Sequence, residues 1–428
     1  MMMNRKWQGW FLVVFLLVPA VAYAEATDFF ARFRPYLSLQ EQYSSNIRLT
    51  PRDAREDYIT TASPGISFSA GEKKDPRFGA DLDYRLGLVG YARNPDLNYV
   101  AHYGTVNAFY SFTPHWTVRL REYFQQSQDP REQQYTPGSA TDQYYLGTQR
   151  DRSTYYRNVF EPSMTYQYGK EDRVDFAYRN MIYHNSNPSI PESRENFFNP
   201  RLTHWFDIRN GVVLDYGLTF AQFQQVPGFT GNMVKGRYIY RTDPRTSYFA
   251  ETSYLRRDFE SPGVSYDVYT PSVGVEHAFS PTLSMRLQAG YFWQTPAQGS
   301  GTSGFSYDAG LTQRDVRTTY ALVFQGGYRE DYFTAENLGF TKYHRMVGTI
   351  SHRLMERVQA GINGSLEWME LGTGRRDWIW SGGGTLSYSP LRWLTAYLDL
   401  IRREDQSNLD NFGYRETRAT VRLTVTSY

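Results

Sequence analysis

The stretch LSMRLQAGYFW, residues 283–293, sets Leu283, Met285, Leu287, Ala289, Tyr291 and Trp293 on one parity and Ser284, Arg286 and Gln288 on the other. Successive residues of an extended strand point to opposite faces, so the segment reads as a strand with one apolar and one polar face. The pattern recurs in both directions along the chain. Residues 116–121 alternate Trp116, Val118 and Leu120 with Thr117, Arg119 and Arg121. In 212–220, Val212, Leu214, Tyr216, Leu218 and Phe220 alternate with Asp215, Gly217 and Thr219. The last strand sets Ala419, Val421, Leu423 and Val425 against Arg418, Thr420, Arg422 and Thr424. Aromatic residues gather near the segment ends. Two-faced strands with aromatic ends predict an all-β fold, a transmembrane antiparallel up-and-down β-barrel with lipid outside and a polar lumen. A soluble propeller would bury most strand faces between blades and lack so long an apolar stripe.

Composition agrees. The 428 residues include 36 Tyr, 27 Phe and 9 Trp, yet only 40% are apolar, and mean hydropathy is −0.60. Beyond residue 24 no apolar run approaches the ~20 residues of a spanning helix. The aromatic content argues against disorder. No cysteine is present, so there is no disulfide framework or thiolate site.

At the N-terminus, Arg5 and Lys6 precede an apolar run from Trp10 to Val21, and Ala22-Tyr23-Ala24 supplies small residues before Glu25. This reads as a cleaved signal peptide over 1–24, a short periplasmic segment over 25–32 and a barrel over 33–428, located in the cell outer membrane. Removing Arg5 and Lys6 from the 46 basic residues leaves 44, against 44 acidic. A neutral mature chain offers no field for nucleic acid. So short a lead-in predicts no N-terminal plug.

Short turns are expected at 71–76, 113–114, 169–172, 209–211, 242–244, 280–281, 314–315, 354–356 and 389–390. Three repeat an aromatic, Ser/Thr-Pro, apolar pattern around Pro114, Pro281 and Pro390. Proline presets φ for a turn and is disfavoured inside a paired strand. Nine short turns and ten longer connections give 20 strands. The weakest alternations, 231–241 and 305–312, leave 18 as the alternative. With short turns in the periplasm, both termini lie there. The final Tyr428 partly resembles the terminal signal read by the barrel assembly machinery, although Thr424 and Thr426 stand where apolar residues are usual.

Enzyme and metal motifs are missing, and His102, His115, His184, His204, His277, His344 and His352 are scattered; no catalytic residue, metal site or cofactor is expected. Assigning the apolar stripe to lipid sends Asp81, Asp83, Arg85, Arg119, Arg121, Asp175, Arg179, Asp215, Glu251, Arg286, Glu367, Asp399, Arg418 and Arg422 to the lumen as candidate pore-lining residues. They comprise seven acids and seven bases, either a hydrated mixed-sign pore of weak ion selectivity or cross-strand pairs that stiffen the wall. Phe109, Tyr123, Tyr183, Phe292, Trp393 and Tyr397 are candidate lumen aromatics, able to stack on sugar rings or to pack under loops. The long connection 126–152 is a candidate constriction. Residues 295–304, rich in Gly, Ser and Thr, read as a mobile extracellular tip.

Residues 36–50 (YLSLQEQYSSNIRLT) followed by 57–66 (DYITTASPGI) resemble the opening of a group of uncharacterised, porin-like Gram-negative outer-membrane β-barrels. Members are often associated with exopolysaccharide synthesis and export. The resemblance implies an outer-membrane channel for a hydrophilic solute, with exopolysaccharide export favoured. Its implied partners are outer-membrane lipid and lipopolysaccharide, the barrel assembly machinery and polysaccharide-export components. The alternative is a structural barrel sheathing a multihaem cytochrome, whose haem would come from the partner because the chain lacks C-x-x-C-H. An outer-membrane hydrolase ranks third.

Overall fold

The computed structural model describes residues 32–72, 75–129, 131–133, 146–148 and 152–427. Residues 1–24, read from the sequence as a signal peptide, most of the segment after them, much of the 126–152 connection and Tyr428 lie outside the described residues.

The chain forms β1 (Phe33–Ser44), β2 (Asp57–Glu72), β3 (Asp75–Tyr91), β4 (Tyr99–Ser111), β5 (Trp116–Ser127), β6 (Arg131–Gln133), β7 (Leu146–Thr148) and β8 (Tyr155–Gln167). There follow β9 (Arg173–Asn185), β10 (Ser193–Trp205), β11 (Asn210–Phe223), β12 (Phe229–Asp243), β13 (Thr246–Phe259), β14 (Tyr266–Ala278) and β15 (Leu283–Pro296). The last are β16 (Thr302–Arg314), β17 (Thr318–Asp331), β18 (Gly339–Met355), β19 (Val358–Leu371), β20 (Arg376–Leu391), β21 (Leu394–Ser407) and β22 (Tyr414–Thr426). Twenty of these form one antiparallel sheet. Each pairs with its chain neighbours, β5 pairs with β8, and β22 closes on β1 with Tyr36 opposite Thr426. The short β6–β7 hairpin belongs to the β5–β8 connection.

The barrel therefore has 20 strands, and both weak alternations lie within full strands, β12 and β16. At ~4.8 Å between strands and a tilt of about 40°, twenty strands close into a ring on the order of 40 Å across. Strands of 12 to 17 residues exceed the 9–11 that span a bilayer.

The outer surface carries residues that water would reject: Val234, Val273, Ile362, Leu400 and Val421 are each more than half exposed. Aromatic chains bracket this band. At the short-turn end Trp116, Tyr166, Tyr168, His204 and Phe206 contact in sequence, with centroids 4.5–6.3 Å apart. At the long-loop end Tyr254, Tyr269, Trp293, Tyr291 and Phe305 do the same over 4.9–6.3 Å. Rings with a polar edge suit the two interfaces of a membrane.

Side chains replace the ladder at the turns. The Thr113 hydroxyl accepts from the amides of His115 and Trp116, and Ser280 does the same for Thr282 and Leu283. The third Ser-Pro differs: Ser389 and Pro390 remain in β20, the register shifts between Tyr388 and Leu391, and the turn falls at Arg392 and Trp393. Proline also enters strand interiors. Pro64, Pro162 and Pro271 lie within β2, β8 and β14, and each coincides with a gap in one neighbouring ladder. A barrel strand tolerates the missing donor because its other ladder continues.

Candidate functional site: the barrel lumen

Ladder register fixes which side chains share a face, and it places all fourteen candidate residues on the inner face. From β9 to β19 most are neutralised by neighbours. Arg179 meets Glu195 at 2.8 Å, Arg201 meets Asp215 at 3.6 Å, and Arg237 meets Glu251 at 2.6 Å. Asp175 receives Arg173 at 3.1 Å, and Arg286 lies 3.5 Å from Asp308. Glu367 takes Arg345 at 2.6 Å and Arg329 at 2.8 Å. On β3, Asp81 accepts the Ser69 hydroxyl and Asp83 accepts Tyr36. Arg119 reaches the Thr165 hydroxyl, and Arg121 stands opposite Glu161 in the ladder. Among the described residues, Asp399, Arg85, Arg418 and Arg422 have no carboxylate–arginine contact of this kind.

The candidate aromatics divide. Phe109, Tyr123, Tyr183, Phe292 and Tyr397 are on the inner parity, whereas Trp393 lies in the turn at the short-turn rim. Tyr183 and Phe292 are fully buried. All the histidines avoid the inner wall: six lie on outer parity, several against aromatic rings, and His115 sits in a turn.

Two inward elements narrow the long-loop end. The larger was not read from sequence. β17 pairs with β16 only as far as Gly326 opposite Tyr307, then leaves it. Gly326 and Gly327 mark the departure. A Cβ on Gly326 would lie 2.4 Å from the Tyr307 ring, and Gly327 has φ +143°, a region open to glycine.

Beyond this fork both faces of the β17–β18 hairpin are covered, which places it inside the lumen. One face lays Tyr328 and Phe340 on a buried apolar cluster of Leu255, Tyr266, Val268 and Phe292. On the same face Arg257 of β13 pairs with Glu330 at 2.5 Å, and Tyr266 and Tyr332 join hydroxyls at 2.8 Å. The other face sends Arg329 to Glu367. At the tip, Phe333 stacks 5.6 Å from Phe223 of β11, and its carbonyl accepts from Arg157 of β8 at 3.4 Å. The hairpin thus lies along the inner wall from β15 round to β11, and its tip reaches Arg157 of β8.

The smaller element is the described part of the 126–152 connection. Arg131 forms ion pairs with Asp129 at 2.8 Å and with Glu416 of β22, which also accepts the Ser44 hydroxyl. Four strands lie between β5 and β22, so this connection also bends inward. Burial pushes the Asp129 carboxyl up, but the adjacent Arg131 guanidinium and its hydrogen bonds outweigh this and hold it below its ordinary value. The β1–β2 connection follows, with Ile47 against Ile59 and Tyr91. Its motif residues are structural. Asn46 donates to the carbonyls of Thr50 and Arg415, and Asp57 accepts from the amide of Arg93 and from the Asn94 side chain. Half of the 295–304 stretch is strand, and 297–301 connect β15 to β16.

Beside Asp129 and Arg131 a cavity of about 940 Å³ opens along β1, β3–β5 and β18–β22. Arg85, Asp83, Asp399, Arg418, Arg422, Tyr103, Tyr123 and Tyr397 line it, with amides and hydroxyls between them. Among the described residues no cluster of His, Asp and Glu is arranged to hold a metal.

A closed barrel of twenty tilted strands, with an apolar belt, two aromatic girdles and a polar interior, defines the class: this is an outer-membrane β-barrel fold. Residues 228–427, from the start of β12 to the end of β22, match the family described as "Putative beta-barrel porin 2". Similar solved structures are the siderophore receptor PirA from Pseudomonas aeruginosa (9% identity, TM-score 0.54, 93% of this chain and 80% of that one) and the FrpB iron transporter from Neisseria meningitidis (11%, TM-score 0.55, 92% and 82%). The ferric enterobactin receptor PfeA from Pseudomonas aeruginosa is similar at 7% identity and TM-score 0.53, over 92% and 81%. At such identities the likeness is one of fold. No curated protein matches the chain in sequence.

Proposed function

We propose that this chain is an outer-membrane channel that passes a hydrophilic solute, with export of an exopolysaccharide the favoured traffic. The carrying observation is the polar cavity of about 940 Å³, lined by arginines, carboxylates, amides and tyrosines and reaching Asp129 and Arg131 of the inward connection. Hydrated solute suits such a wall, and tyrosine rings suit sugar faces. In this reading the 1–24 segment directs export, the long loops face outward and the short turns face the periplasm. Histidines turned away from the lumen favour transport over hydrolysis. The hairpin folded into the lumen disfavours a cytochrome sheath, which needs an open bore.

Planar-bilayer recording on the purified, refolded chain tests the channel. Discrete conductance steps are expected; a barrel silent across voltage and salt overturns the reading. For the export direction, a deletion strain should lose surface polysaccharide, and unchanged secretion would remove that preference.

A further inference from the structure

The balanced count of lumen charges hides an uneven distribution. On the β9–β19 side arginines are tied to carboxylates at 2.6–3.6 Å. Around the cavity, Arg85, Arg418 and Arg422 have no carboxylate within salt-bridge distance among the described residues. Asp399 faces Thr420 between the two β22 arginines, and Glu416, two residues before Arg418, is already held by Arg131. The Nε atoms of Arg418 and Arg422 are buried and have no hydrogen-bond partner. A buried guanidinium N–H without an acceptor is costly, and a guanidinium matches a carboxylate in a planar, two-point geometry.

Aromatic rings accompany these cations. The Arg422 guanidinium lies 4.9 Å from the Tyr397 ring centre, and Arg85 lies 4.5 Å from that of Tyr103. Tyr123 faces the same cavity. Arg418 and Arg422, four residues apart on one strand face, stand on the order of 13 Å from each other. Such a surface asks for an extended ligand with carboxylates at intervals and flat, hydroxylated faces between them.

We propose that the cavity is a binding site for acidic polysaccharide segments, in which Arg418, Arg422 and Arg85 take uronate carboxylates and Tyr103, Tyr123 and Tyr397 take the sugar faces. This rests on the channel reading and names its substrate class. A small inorganic anion would satisfy the guanidinium groups and leave the rings unused. A neutral sugar would use the rings but offer the guanidinium groups only single, uncharged hydroxyl acceptors in place of a planar carboxylate.

The test uses the purified full-length barrel with three probes: trigalacturonate, maltotriose and inorganic phosphate. Trigalacturonate is expected to halve the single-channel current at a concentration roughly tenfold below that of either other probe. The R418Q/R422Q variant is expected to abolish that preference while retaining heat-modifiable migration, the sign of a folded barrel. Equal block by maltotriose, or by phosphate, overturns the proposal, as does a preference that survives in the variant. If no current is seen, the channel reading fails separately. Calorimetric titration of the detergent-solubilised barrel with the same probes then decides this site: preferential trigalacturonate binding sustains it, and absent or unselective binding overturns it.

Discussion

Gly65 shows how one side-chain deletion organises a wall. Tyr36 of β1 lies across Gly65 of β2 to reach Asp83 of β3 at 3.0 Å, and a Cβ at position 65 would sit 2.3 Å from the Tyr36 ring. Gly65→Val should therefore displace Tyr36, break its bond to Asp83 and destabilise the barrel by about 1–3 kcal/mol. Heat-modifiable electrophoresis should show a lower unfolding temperature, restored in large part by adding Tyr36→Ala; no loss in the single variant would refute the contact. Asp129 gives a residue-level pH prediction. Its carboxyl is held below its ordinary value in the folded chain, so its stabilising contribution is complete above the unfolded aspartate range near ~3.9 and is lost as pH falls through the folded value. The Asp129–Arg131 anchor should therefore persist at pH 5 and release only below the ordinary carboxylate range. Limited proteolysis of the 126–152 connection as a function of pH checks this; release already near pH 6 would contradict it.

At the scale of elements, strands were legible because alternation is local: each residue's face follows from its parity, as in 283–293 and 212–220. The inward hairpin was hidden for the opposite reason. Its seven-residue tip, 332–338, is unremarkable in length, and its direction depends on docking Tyr328, Tyr332, Phe333 and Phe340 onto strands far away in sequence. The available hint was the Gly326-Gly327 doublet followed by YREDYF (328–333), where bulky residues occupy both parities. Ser-Pro turns were only partly readable, since Ser389-Pro390 matches the others in sequence but not in register. If the hairpin restricts the bore, removing its Arg257 anchor should loosen it. Breaking a buried ion pair from one side costs about 3–5 kcal/mol, so Glu330→Gln should raise mean single-channel conductance and its fluctuation, and deletion of residues 332–338 should raise the mean further. Unchanged conductance in both variants would show that current passes elsewhere.

For the whole molecule, composition, alternation and turn count led to the twenty-strand barrel, and the aromatic excess has its place in the two girdles and under the inward loops. What the sequence concealed is the asymmetry of the interior: one side filled and neutralised, the other open, where among the described residues Arg85, Arg418 and Arg422 have no salt-bridge partner. The fork at Gly326 carries one more consequence, for where the barrel floats. Residues 302–306 of β16 have β15 on one side and, among the described residues, no strand on the other. Hydrocarbon cannot satisfy the bare amides and carbonyls of that edge, so acyl chains must end at or below it. On the outer surface at this height, Tyr307, His344 and Trp368 stack at 5.7 and 5.3 Å. The split in the wall thus serves as a waterline, fixing how deep the protein rides in its membrane.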